Sequence, residues 1–200
     1  MALAFLIRVL LPPPHIMVPI AQFADPYLRS STPFRNRVAR AIWSVAHLLL
    51  VRFSPRTCHA WRALVLRSFG ATLGAHCHIY PAARIWAPWN LICEDAVGIA
   101  DGAVVYNPAL IRLASHSIVS QDAYLCGATH DIDDPAFPMT SAPITIGNYA
   151  WICARAVVCA GITVGEGAVL GLASVATRDL EPWTVYAGVP ARKIRKRGRG

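Results

Sequence analysis

The chain has 200 residues, of which 55% are hydrophobic and 15% charged. That is enough for one domain with a sizeable core and excludes a disordered chain. The net charge of +8 is uneven: residues 1–70 carry nine Arg against one Asp, residues 71–191 four Arg against ten acids, and residues 192–200 six basic side chains. An acidic body between basic ends, with no motif interleaving aromatic and basic residues, excludes nucleic acid as a partner.

Residues 1–20 are apolar, but Arg8 splits the run and Pro12, Pro13 and Pro14 end it. No basic segment precedes it, so it fits neither a secretory signal nor a membrane span. We expect an apolar N-terminal extension on a cytoplasmic protein; the second Met, at position 17, leaves open that residues 1–16 are an upstream piece rather than folded structure. Cys58, Cys77, Cys93, Cys126, Cys153 and Cys159 form no CxxC pair and no zinc-type spacing with His, so they read as reduced thiols filling small core sites. Within residues 21–70, Val38, Ile42, Val45 and Leu49, then Trp61, Leu64 and Val65, recur at helical spacing with Arg37, Arg40, Arg52, Arg62 and Arg67 between them. This predicts two basic amphipathic helices broken near Ser54 and Pro55. They would cap the next domain, attach to an anionic membrane surface, or do both.

From Leu73 the period becomes six. Leu73, Ile79 and Ile85 are followed, after a two-residue shift, by Cys93, Ile99 and Val105, and after a second such shift by Leu113, Val119 and Leu125; a longer break precedes Ile146, Ile152, Val158, Val164 and Leu170. Thirteen of these fourteen positions are aliphatic, and eleven of the fourteen positions four residues further on are Ala, Ser, Thr or Cys. A double register of this kind predicts a mainly β solenoid over residues 71–181, in which each hexapeptide makes a short strand and a corner and three close a triangular coil. The breaks before Cys93 and Leu113 and the excursion at 131–145 each follow three hexapeptides, so they stack along one edge of the prism.

The stretches SQDAYLCGATHD at 120–131, DPAFP at 134–138, PITIG at 143–147 and AGVPAR at 187–192 resemble the hexapeptide-repeat acyltransferases, and within them the colanic-acid-biosynthesis acetyltransferase group. The resemblance covers roughly residues 24–196 and implies a left-handed parallel β-helix, homotrimeric, with clefts between neighbouring prisms. It implies transfer of acetyl from acetyl-CoA to a sugar hydroxyl of an exopolysaccharide or other surface glycan precursor. By the same resemblance His130 is the general base, at the start of a flap over 131–145, and histidine is the residue type whose ordinary titration range suits that task. Asn107, Asp131 and Asp133 would meet the acceptor, an acid of the flap helping to orient His130 or a sugar hydroxyl. Trp151, Ala154, Thr177, Arg178, Arg192 and Arg195 would meet CoA, the last two in a C-terminal CoA-binding segment over 182–200. Arginine forks suit the phosphates. Ala154 and Leu172 stand where galactoside acetyltransferase has Ser and Ala.

Several alternatives compete with these assignments. Cys126, four residues before His130, could form a nucleophilic pair with it, but the resembling enzymes transfer acetyl directly. Asp131, Asp133 and Asp134 are close enough to suggest a cation site, but the transfer needs none, so no metal is expected. His76, His78 and His116 read as turn residues, and the tail from Arg197 onward as a frayed terminus. For the chain as a whole, a non-catalytic β-helix scaffold and an acetyltransferase for a small non-glycan acceptor remain as alternatives.

Overall fold

Each hexapeptide buries one side chain and turns one corner, and the described chain is built by repeating that step. A computed structural model describes residues 33–134 and 136–198. The expectations for the 1–20 extension and for residues 21–32 lie outside these.

Sheet A holds β1 (Thr72–Leu73), β4 (Leu91–Cys93), β7 (Ile111–Leu113), β12 (Ile144–Ile146) and β15 (Thr163–Val164). Sheet C holds β3 (Arg84–Ile85), β6 (Val104–Tyr106), β9 (Tyr124–Cys126), β14 (Val157–Val158) and β17 (Val175–Ala176). Sheet B runs through β2 (His78–Ile79), β5 (Gly98–Ile99), β8 (Ile118–Val119), β13 (Trp151–Ile152), β16 (Val169–Leu170), β18 (Thr184–Ala187) and β19 (Arg192–Lys196). Pairing is parallel and in register from coil to coil, Leu73 on Cys93, Cys93 on Leu113, Leu113 on Ile146 and Ile146 on Val164. The result is a parallel β-solenoid of about six turns.

All fourteen residues of the six-residue register are buried. At ~1.5–3 kcal/mol per buried aliphatic side chain this column is the main stabilising term. The second register departs from expectation at Ala109, half-buried, and Thr129, exposed. Both lie at the corner between sheets C and A, where the insertions replace the hexapeptide turn; Asn107 and Gly127 are buried there instead. Elsewhere the corners stack through backbone hydrogen bonds such as His116 N to Asp95 O (2.9 Å) and Tyr149 N to Ser115 O (3.0 Å). His76 and His116 are left-handed corner residues, while His78 is in β2 and stacks on His59.

Helix α1 (Phe34–Ala46) runs into a π-helical turn (His47–Arg52), and α2 (His59–Ser68) follows the break at Ser54 and Pro55. The first coil leaves strand carbonyls without a further coil to pair them, and side chains from this segment supply the donors. Arg67 donates to Leu73 O at the edge of sheet A, Arg62 Nε to Ile79 O at the edge of sheet B, and Trp43 Nε1 to Ile85 O at the edge of sheet C. The helices are therefore a cap. Arg62 is fully buried and also donates to Ser54 Oγ, Pro55 O and Arg56 O. Arg62 and Arg67 thus serve the cap, one of the two roles expected of these helices, and the buried Arg62 is removed from any membrane-facing surface.

At the other end, β19 folds back antiparallel on β18. Lys193 and Lys196 both hold Glu181. Arg197 is not frayed: its N–H donates to Trp183 O and its Nη1 to Tyr149 O and Gly167 O.

Candidate active site

The chain leaves the third coil at Gly127, where a Cβ would come within 2.7 Å of Tyr106 O. Glycine lets the strand lie directly on the coil below and then turn outward. The excursion is a hairpin, β10 (Ala128–His130) against β11 (Met139–Ser141), with His130 facing Met139. It stands on the corner between sheets C and A, the predicted insertion edge.

His130 is exposed, and two contacts fix its ring. The imidazole stacks on Phe137 with centroids 4.4 Å apart and planes 9° from parallel. Its Nδ1 lies 3.0 Å from Phe137 O. A carbonyl only accepts, so Nδ1 carries the proton, and in the neutral ring Nε2 keeps its lone pair. The sequence reading did not find this orienting group: it is a main-chain carbonyl, and it replaces the acid expected to orient the ring. Asp131 instead accepts from Asp133 N (3.1 Å), and Asp134 from Ala136 N (2.8 Å). All three carboxylates are exposed, and among the described residues no group of three His, Cys, Asp or Glu side chains is arranged to hold a metal ion.

Asn107 is fully buried and its amide is spent on the coil below, Oδ1 accepting from Ala87 N (2.9 Å) and Nδ2 donating to Ala87 O (2.7 Å). The side chain is closed to solvent and faces the coil below. Cys126 is half-buried with Sγ 3.2 Å from Ala128 O.

The residues predicted to meet CoA spread over the sheet B–C edge, the outer face of sheet B and the sheet C–A edge. Ala154 follows β13 at the corner between sheets B and C; Leu172 and Val189, both strongly exposed, lie above it on the same edge. Arg192 begins β19 at this end of sheet B, opposite Ala187, while Arg195 pairs with Val185 further along the strand. Trp151, on the outer face of sheet B, donates from Nε1 to Ser120 Oγ (2.8 Å). Thr177 and Arg178, exposed after β17, lie on the edge between sheets C and A, two coils above the root of the hairpin. The AGVP loop is anchored by Val175 N to Gly188 O (3.0 Å) and Ala191 N to Val175 O (2.8 Å).

Sequence reading also missed a cleft of about 630 Å³ between α1 and the outer face of sheet C, lined by Arg40, Trp43, Arg84, Trp86, Tyr106 and Tyr124 among others. The outward positions of the strands gave no periodic signal that would have revealed it.

No family model matches the chain. WcaF of Escherichia coli (strain K12), assigned to colanic acid biosynthesis as an acetyltransferase, is 33% identical over 162 residues, covering 81% of this chain and 89% of the relative. Among solved structures, the hexapeptide-repeat acetyltransferase VCA0836 of Vibrio cholerae has a TM-score of 0.75 at 23% identity over 84% of this chain and 95% of its own. A galactoside acetyltransferase in complex with coenzyme A has a TM-score of 0.76 at 22% identity over 84% of both chains. With the WcaF relative spanning most of the chain and the hexapeptide register realised as a solenoid, the chain belongs to the colanic-acid-biosynthesis acetyltransferase group of the hexapeptide-repeat acetyltransferases.

Proposed function

We propose that this acetyltransferase moves acetyl from acetyl-CoA to a hydroxyl of a sugar in a surface-glycan precursor, with His130 as general base. The observation that carries the reading is the Nδ1 contact to Phe137 O, which leaves Nε2 free on an exposed, fixed ring. Nε2 takes the hydroxyl proton as the oxygen bonds to the thioester carbonyl carbon. The tetrahedral adduct then expels the CoA sulfur, which receives that proton from the imidazolium. Asp131 and Asp133, on the exposed rim of the hairpin, are positioned to accept from sugar hydroxyls.

Arg192 and Arg195, with Thr177 and Arg178, supply forks and a hydroxyl for the phosphates, and Ala154 and Trp151 bound the pantetheine path. Ala154 and Arg192 at the sheet B–C edge are separated from Thr177, Arg178 and the His130 hairpin at the sheet C–A edge by the width of sheet C, on the order of 15–20 Å for five or six extended residues. A homotrimer that sets the His130 edge of one copy against the sheet B–C edge of the next would unite them. Ile118, Trp151, Leu172 and Val189 favour it, because exposed apolar side chains on and beside a parallel sheet invite a cover.

We place the enzyme at the cytoplasmic membrane surface. Among the described residues no helix is long and apolar enough to cross a membrane. Val45, Leu49, Phe53, Trp61 and Leu64 are nevertheless exposed on the cap, and Arg35, Arg37 and Arg52 stand in the same helical segment without one acid. Sedimentation with anionic but not neutral vesicles, weakened by salt, is the expected result.

The decisive test of the activity is thiol release from acetyl-CoA across neutral sugars, nucleotide sugars and lipid-linked oligosaccharides, with mass detection of the O-acetylated product. No thiol release under any condition would return the chain to a scaffold, and release without an acetylated sugar would return it to a small non-glycan acceptor.

A further inference from the structure

On sheet C, Trp86, Tyr106 and Tyr124 stand on successive coils and form an aromatic ladder, with ring centroids 5.5 Å apart between the first two and 6.5 Å between the last two. The ladder is the floor of the cleft against α1. Its middle rung reaches the His130 hairpin: Tyr106 OH lies 3.8 Å from Met139 Sδ, and Met139 faces His130 across the hairpin. Its lower end is basic. Arg40 sits 4.2 Å over the Trp86 ring, and Arg84 is exposed on β3. Neither guanidinium is paired with a carboxylate among the described residues, and no acid lines the cleft.

We propose that this cleft is the acceptor's recognition subsite and that it takes a pyranose bearing a carboxylate or a phosphate. The proposal rests on the acetyltransferase reading above and names the class of its acceptor. The volume of about 630 Å³ falls within the ~300–1,000 Å³ of small-molecule sites. Aromatic rings offer apolar faces to the C–H side of a sugar, and unpaired arginines offer forked donors to an anion. Burial pushes the Tyr106 and Tyr124 phenols up, so both remain hydroxyl donors for ring oxygens throughout the physiological range. A sugar lying along the ladder with its anion at Arg40 and Arg84 has its far end directed toward His130.

The test measures binding to the full chain, without acetyl-CoA, by saturation-transfer NMR and calorimetry with methyl glucuronide, glucose 1-phosphate and methyl glucoside. We expect at least one anionic probe to bind about tenfold or more tightly than the glucoside, roughly the contribution of one charge-assisted contact. The better of the two identifies the anion. Arg84→Gln, an exposed change, and Arg40→Gln should each reduce that advantage, and the double variant should abolish it while glucoside binding and thermal stability stay unchanged. Equal binding of the three probes, or anion preference that survives in the double variant, would overturn the proposal. Anion preference in a protein that acetylates no sugar would leave the subsite standing and remove the catalytic reading instead.

Discussion

Replacing Gly127 with Ala should uncouple the His130 hairpin from the solenoid. The new Cβ would lie 2.7 Å from Tyr106 O, a backbone atom of the coil below that cannot swing aside. Gly127 N also donates to that oxygen at 2.8 Å, so relieving the clash stretches the bond. Overpacking of ~1–3 kcal/mol plus about 1 kcal/mol for the weakened hydrogen bond gives a loss of ~2–4 kcal/mol, or a Tm lower by roughly 5–15 °C for a chain of this size. The displacement is concentrated at the root of β10, three residues before His130, and a shift of ~1 Å there costs on the order of 10²-fold in turnover. Gly147→Ala is the matched control, since its Cβ would meet Glu166 N at the same 2.7 Å but at a corner away from the hairpin. Thermal unfolding and kcat/KM should separate the two: similar losses of stability, with the large loss of rate in Gly127→Ala alone. Equal loss of rate in both variants would refute the reasoning.

Cys126→Ser should retain near wild-type turnover, and intact-protein mass spectrometry should find no acetylated enzyme, because the Cys126 thiol is committed to Ala128 O. Arg192→Ala and Arg195→Ala should raise KM for acetyl-CoA and leave the acceptor's KM unchanged, as expected for groups that bind donor phosphates; initial-rate kinetics in both substrates checks this. Burial lowers the pKa of His47, and of His59, below the ordinary value of 6.5. The unfolded chain therefore takes up these protons first, and stability present above about pH 6.5 should fall as the pH drops through that value. Melting temperatures between pH 7.5 and 5.5 should show the decline, and His47→Gln should flatten it.

The core was legible because burial in a solenoid repeats: each inward aliphatic side chain from Leu73 to Leu170 recurs in sequence at the spacing at which it recurs in space. The insertion edge was legible for the same reason, since only breaks after whole coils can stack. The register misled at Ala109 and Thr129, where the corner is an insertion and Asn107 and Gly127 take the buried places. That also explains Asn107, whose amide completes a corner through Ala87 and does not face the site. The buried place of Arg62 was not legible, because helical spacing does not distinguish an arginine facing solvent from one inserted among edge-strand carbonyls. His130 could be singled out by its motif, but its orientation depends on Phe137 O, a group every residue has and only the folded hairpin brings to Nδ1. The cleft on sheet C is assembled from α1 and three coils, so no local stretch of sequence contains it.

The central claim is that the fixed imidazole of His130 removes the acceptor proton. The most direct measurement is kcat/KM of His130→Ala, with a validated acceptor, followed by thiol release and by mass detection of the product. The ring lies in an exposed hairpin and contributes nothing to the solenoid core, so Tm should stay at the wild-type value while the rate falls by at least ~10²-fold. A variant that folds as the wild type does and acetylates at the wild-type rate would contradict the account.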